Sequence, residues 1–215
     1  MTLSIKTLEL PPIGTNCYVL TKEGSDEAAI VDAPLGAWKE VEAALEGFEL
    51  RVLHLLMTHG HWDHTLDGWL FNEDRRTVAY GGRGDAEFFK DPESMSRFSI
   101  PGLEMKPMRI DRWVKQGDRL TVLGETVEVR DVPGHSPGSV LFWFQDSDCV
   151  FSGDALFQRS IGRTDFPGCS FEALERSIQE QIYTLPRKVK VYPGHGPATA
   201  VGEEIENNPH VRAAK

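Results

Sequence analysis

Residues 51–64 read Arg51-Val52-Leu53-His54-Leu55-Leu56-Met57-Thr58-His59-Gly60-His61-Trp62-Asp63-His64. The first seven are apolar enough for a buried strand, and that strand runs straight into a turn with ligand-type side chains at four of six positions. Loops carried by a rigid sheet are where reactive sites are built. Three later segments share this character: Pro133-Gly134-His135-Ser136-Pro137-Gly138, Phe151-Ser152-Gly153-Asp154 and Tyr192-Pro193-Gly194-His195-Gly196. Each follows an apolar run and reaches a His or Asp flanked by glycine, which permits close backbone approach in a crowded site.

These four turns hold five of the seven histidines and two aspartates: His59, His61, Asp63, His64, His135, Asp154 and His195. Imidazole and carboxylate together suit zinc, iron or manganese. A catalytic zinc keeps about three protein ligands plus water, so seven donors exceed one ion and are natural for two. Ions about 3.5–4 Å apart that share a carboxylate would lower the pKa of bound water toward about 7. Isolated histidines often do no more than satisfy turn hydrogen bonds, but several separate segments of one kind supply the context that a lone motif lacks. The other two histidines read differently. His54 lies inside an apolar strand and is expected in the core or behind the site, and His210, after Asn208-Pro209, is expected in solvent.

Outward from this stretch, β-branched and aromatic runs predict strands at 4–10, 17–20, 28–31, 51–57 and 78–80. Trp38, Val41 and Leu45 at helical spacing predict a surface helix over 37–45. The second half repeats the style, with strands at 119–123, 126–132, 139–144, 149–152 and 189–192 and a helix over 171–185. The irregular stretch near 91–108 reads as a functional loop and no low-complexity linker divides the halves, so residues 1–215 read as one α/β domain.

A net charge of -10, from 33 acidic against 23 basic residues, argues against nucleic acid or an anionic membrane as partner. It does not exclude anionic small molecules, since two dications would offset local charge where they bind. Cys17, Cys149 and Cys169 are odd in number and far apart, which fits a reducing, cytoplasmic setting better than a disulfide framework. The N-terminus lacks the pattern of a signal peptide, and runs such as Val140-Leu141-Phe142-Trp143-Phe144 fall far short of the roughly 20 residues that span a bilayer.

At its ligand-type residues the sequence resembles the metallo-β-lactamase superfamily, whose hallmark is a His-x-His-x-Asp-His loop followed by His, Asp and His in later loops. The resemblance implies a four-layer αβ/βα sandwich, two mixed sheets flanked by helices, with the metals at one edge. It assigns His59, His61 and His135 to one ion, Asp63, His64 and His195 to a second, and Asp154 to both, with Asp63 and Asp154 as catalytic carboxylates. The segments Thr15-Asn16-Cys17-Tyr18, Phe151-Ser152-Gly153-Asp154-Ala155-Leu156-Phe157, Gly162-Arg163-Thr164-Asp165-Phe166-Pro167-Gly168 and Pro193-Gly194-His195-Gly196-Pro197 resemble short glyoxalase II-type hydrolases. That implies thioester hydrolysis of the hydroxyacylglutathione type by a hydroxide bridging two divalent ions, zinc foremost, with iron or manganese open.

The sequence also departs from that type. The helical extension that helps bind glutathione is not expected, because the sequence stops at Lys215, and Gly196-Pro197 stand where the type has Tyr after its last His loop. Arg163 occupies the place of a cation near the substrate and reads equally as a carboxylate binder or as a partner of Asp165. The competing resemblance is to persulfide dioxygenase, which would use one iron on His59, His135 and Asp154. Secreted β-lactamases often have Cys where Asp154 stands, and nucleases of the superfamily usually carry further arms. Asp32, at a strand end, reads as an orienting partner of a ligand histidine or as a turn cap. Trp62, Phe88 and Phe89 read either as pocket walls or as core aromatics, with core the commoner case, so they are left out of the site.

Overall fold

Val31, Leu56, Phe142 and Phe151 meet in one apolar cluster, although the first two and the last two belong to different sheets. The computed structural model describes residues 2–48 and 50–213. In the first sheet, β1 (Leu3–Leu10), β2 (Thr15–Lys22), β3 (Glu27–Val31), β4 (Arg51–Leu56), β5 (Val78–Gly82) and β6 (Arg112–Val114) lie side by side in chain order. The first three are antiparallel, and β3 to β6 run parallel.

The second sheet mirrors the first. It contains β7 (Arg119–Val122), β8 (Glu125–Asp131), β9 (Val140–Phe144), β10 (Cys149–Gly153), β13 (Lys190–Pro193) and β14 (Thr199–Ala200), in the order β14-β13-β10-β9-β8-β7. A small hairpin, β11 (Leu156–Phe157) with β12 (Ser160–Ile161), stands apart. Strand periodicity sends alternate residues to opposite faces. Leu56, Phe142 and Phe151 therefore point between the sheets, while Leu55, Leu141 and Val150 point outward.

Helices cover the outward faces. α1 (Ala37–Leu45) buries Val41 against the first sheet, with Trp38 and Leu45 packed alongside, as its spacing predicts. Over the second sheet lie α5 (Phe171–Ser177) and α6 (Val201–Asn207), which contribute Leu174 and Val201. The layers are helix, sheet, sheet, helix. Short helices α2 (Trp62–Thr65), α3 (Gly68–Phe71) and α4 (Ala86–Lys90) sit among the loops of the first half.

Two local departures from the sequence reading have physical causes. The helix expected over 171–185 starts with Ser170 Oγ accepting the Ala173 amide at 3.3 Å, but after Ser177 it widens into a π-helical turn, Ile178–Ile182. There Tyr183 N donates to Ile178 O, and Ile178 and Ile182 both face the core. The stretch 91–108 contains a 3₁₀ segment, Pro92–Phe98, that buries Met95 beside Trp62. Among the described residues no helix is long and apolar enough to cross a membrane.

Candidate metal centre

β8, β10 and β13 point the same way through their pairings, so their following turns emerge at one edge of the second sheet. Backbone clasps bring the first sheet to that edge. Val140 N donates to Thr58 O at 2.9 Å, and Asn16 N donates to Gly194 O at 2.7 Å. The turns carrying His59, His61, Asp63, His64, His135, Asp154 and His195 thereby converge, and all seven residues meet in one cluster.

Ligand-type atoms of His59, His61 and His135 lie within 4.8 Å of one another, as do those of Asp63, His64 and His195, and those of His59, His64 and Asp154. Asp154 stands between the first two groups. Its Oδ1 lies 3.3 Å from His64 Nε2, and its Oδ2 lies 3.4 Å from His135 Nε2 and 3.5 Å from His195 Nε2. Asp63 Oδ2 is 3.3 Å from His64 Nε2 and 3.2 Å from His195 Nε2, and accepts the Thr15 hydroxyl at 3.0 Å.

Four imidazoles are oriented from behind through Nδ1. Thr58 Oγ1 donates to Asp32 Oδ2 at 2.7 Å, so it can only accept from His59 Nδ1, 3.0 Å away. His64 Nδ1 donates to Asp32 Oδ2 at 2.8 Å, His135 Nδ1 to Arg163 O at 2.8 Å and His195 Nδ1 to Gly14 O at 3.3 Å. In the neutral ring each such donation leaves the lone pair on Nε2, facing the centre. His61 is placed differently, with its Nδ1 2.8 Å from His135 Nε2.

The electrostatics divide the donors. Burial pushes His59 well below the ordinary imidazole value and His61 down to about 3, aided by neighbouring imidazoles. For His64 burial acts in the same direction, but Asp63, Asp154 and Asp32 outweigh it and hold the ring well above that value. Burial likewise opposes ionisation of Asp154, yet His64, His135 and His195 keep its carboxyl well below the usual range.

The donor set fits cations. Nε2 of His59, His61 and His64 and Oδ1 of Asp154 are buried without a hydrogen-bond partner among the described residues, and each such atom carries a desolvation cost. A positive ion among them would satisfy lone pairs and ionised carboxylates together. The glycines of the turns make room for this crowding. A Cβ on Gly194 would stand 2.0 Å from Asp154 Oδ1, and one on Gly162 would stand 1.9 Å from Asp154 O.

Above the donors opens a cavity of about 300 Å³, lined by Asp63, Asp154 and His195 and walled by Ile13, Trp62, Met95, Phe98, Phe157 and Phe166. Trp62, read as core from sequence, both packs with Met95 and lines this cavity, whereas Phe89 goes to the core beneath the first sheet. Arg163 is at the rim, paired with Asp165 by two hydrogen bonds of 2.7 and 2.8 Å. Asp32 contacts His64 and both the amide and hydroxyl of Thr58. His54 neighbours Tyr80 and Glu27, and His210 is exposed.

The sequence reading missed Asp85. Its buried carboxylate accepts the Gly60 amide at 2.8 Å, the Gly138 amide at 2.6 Å and the Ser136 hydroxyl at 2.6 Å, joining the first ligand turn to the His135 turn. The signal for it was the glycine-rich strand end Gly81-Gly82-Arg83-Gly84, which resembles the other turns but lacks a histidine. All three cysteines are free, and burial pushes Cys169 up to about 11.

The metallo-beta-lactamase superfamily profile matches residues 10–195. The hydroxyacylglutathione hydrolase GloC of Haemophilus influenzae is 31% identical over 214 residues, covering 98% of this chain and 99% of its own. The B3 metallo-beta-lactamase BLEG-1 has a crystal structure that superposes with a TM-score of 0.88 at 35% identity, covering 96% of this chain and 98% of that one. TTHA1623, solved in a di-iron-bound form, gives a TM-score of 0.84 at 31% identity, covering 96% and 100%. With the helix–sheet–sheet–helix layering and the donor cluster at the shared sheet edge, these matches show that the chain belongs to the metallo-beta-lactamase superfamily.

Proposed function

We propose that this protein is a dinuclear metal-dependent hydrolase that cleaves small-molecule thioesters of the hydroxyacylglutathione type. His59, His61 and His135 would hold one divalent ion, Asp63, His64 and His195 would hold the other, and Asp154 would contribute to both. The observation that carries this reading is the position of the Asp154 carboxylate, whose two oxygens face imidazoles of both groups. Near-complete alignment with GloC supports the thioester as substrate. The mixed donor set suits zinc first, with iron and manganese compatible. The free cysteines fit a cytoplasmic setting.

When bound, two divalent ions supply Lewis acidity toward a carbonyl oxygen and acidify a water toward neutral pH. The chain's own residues do the rest. The Nδ1 anchors at Thr58, Asp32, Arg163 and Gly14 keep the rings from turning away. Asp63 and Asp154, both ionised and lining the cavity, orient the attacking water and take its proton. The water oxygen bonds to the acyl carbon, the C–S bond breaks, and the sulfur leaves as thiolate. Apolar walls limit competing solvent.

Elemental analysis of purified protein, followed by assays with S-lactoylglutathione, glutathione persulfide under oxygen and a chromogenic β-lactam, tests this reading. Two metals per chain with thioester cleavage is the expected result. One iron with oxygen uptake would instead assign a persulfide dioxygenase built on His59, His135 and Asp154, and lactam opening without thioester cleavage would assign a lactamase.

A further inference from the structure

The cavity lining is of two kinds. Carboxylates and imidazoles of the donor cluster share it with the apolar side chains of Ile13, Met95, Phe98, Phe157 and Phe166. Ile13 is 51% exposed, so one of these apolar side chains stands largely uncovered. A charged group brought against such a wall loses water and finds no partner, whereas an aromatic or alkyl group gains from burial.

Among the described residues lining this cavity, Arg163 is the one lysine or arginine, and it is already engaged. Its Nε and Nη2 make a paired contact with the two Asp165 oxygens, and its guanidinium lies over the Phe166 ring at 4.1 Å. Its backbone oxygen is held by His135 Nδ1, which keeps the segment in place. Three of the five guanidinium N–H groups are not used by Asp165, but a substrate carboxylate that reached them would stand beside the Asp165 charge, so the pair as a whole offers an anion little net attraction.

We infer that this pocket selects thioesters whose group on the sulfur is apolar and uncharged, and that Asp165 is the specificity-determining residue that neutralises Arg163 toward anionic groups. The inference rests on the thioester-hydrolase reading for the reacting bond. Its wall and rim contacts are independent of that reading. Glutathione, with two carboxylates, is on this basis a tolerated thiol and not the group the rim is built to recognise.

The test is calorimetric and uses the metal-loaded protein with two thioethers that cannot be hydrolysed, S-benzylglutathione and the uncharged S-benzyl-N-acetylcysteamine. Wild type is expected to bind the uncharged thioether at least as tightly as the glutathione one. Asp165→Asn should shift the ratio of the two Kd values about threefold toward S-benzylglutathione, the scale of one exposed ion pair. Adding Arg163→Gln should abolish that shift, since the freed guanidinium causes it. Phe98→Ala should weaken both ligands by about tenfold, the scale of one lost apolar wall.

Tighter binding of S-benzylglutathione by wild type overturns the inference, as does a ratio unmoved by Asp165→Asn or failure to bind either thioether. Thioether binding needs no turnover, so the two readings fail separately. The expected binding order without thioester cleavage defeats the proposed reaction alone. Cleavage with the reverse order defeats the specificity alone.

Discussion

Asp85 accepts the backbone amide of Gly60 at 2.8 Å, and Gly60 lies between His59 and His61. The same carboxylate takes the Gly138 amide and the Ser136 hydroxyl just beyond His135, so one side chain ties together the three imidazoles of the proposed first ion. Asp85→Ala would leave these donors buried and unpaired, at a cost on the order of 3 kcal/mol. Urea denaturation should register that loss, and a variant within experimental error of wild type would rule out the tie.

Asp85 also makes stability depend on pH. Burial raises its carboxyl above the ordinary 3.8, against the pull of its three donors. A group whose folded value is raised contributes stability that is fully present below the unfolded value and lost as pH rises through the folded one. The advantage of wild type over Asp85→Asn should therefore be largest near the ordinary carboxylate value and shrink toward neutrality. Paired urea titrations across that window measure it, and an advantage that grows with pH would contradict the assignment.

Asp32 accepts from His64 Nδ1 and from both the amide and hydroxyl of Thr58, and through Thr58 it also sets the orientation of His59. Asp32→Asn supplies a donor where an acceptor is needed. Metal affinity should fall about 10- to 100-fold in a competitive chelator titration. Unchanged affinity would reduce Asp32 to a turn cap.

Asp154→Ala removes the carboxylate that faces His64, His135 and His195. Turnover should fall by on the order of 10³ or more, with circular dichroism unchanged and metal stoichiometry below that of wild type. Retained turnover would contradict its shared role.

Gly194→Ala places a Cβ against Asp154 Oδ1. Overpacking of this kind costs about 1–3 kcal/mol, and here it displaces a proposed ligand. Expected are a lower melting temperature and weaker metal retention, read by scanning calorimetry and elemental analysis. Full metal occupancy would show that Asp154 has room to spare.

Chelation should destabilise the fold, because the buried Nε2 atoms of His59 and His61 then lack a hydrogen-bond partner among the described residues, and the Asp63 and Asp154 carboxylates have only the surrounding imidazoles to offset them. Free metal at 1,000 times its Kd adds about 4 kcal/mol by mass action, so the melting temperature should climb with added zinc. A melting temperature indifferent to zinc would argue against a structural coupling of metal and fold.

The ligand-type residues were legible in the chain because each sits in a short turn directly after an apolar strand, and a strand end followed by Gly and His is local information. The longer strands of both sheets were legible for the same reason, since alternation and β-branching act over a few residues, whereas the three-residue β6 (Arg112–Val114) was not. The π-helical widening at Ile178–Ile182 was not, because it answers to packing against the second sheet and not to helical propensity. The two-residue strands β11, β12 and β14 are too short to carry a period.

What the sequence determined by itself was the set of ligand-type residues in the candidate site: His59, His61, Asp63, His64, His135, Asp154 and His195. Tertiary structure alone decided which ring nitrogen faces inward, that Asp85 binds Gly60 and Gly138, and that Arg163 pairs with Asp165 beside the apolar wall residue Phe166. The physical reason is reach. Residue type and strand-end position are encoded over a handful of neighbours, whereas hydrogen-bond direction and cavity walls arise between segments that become adjacent only when the two sheets close on each other.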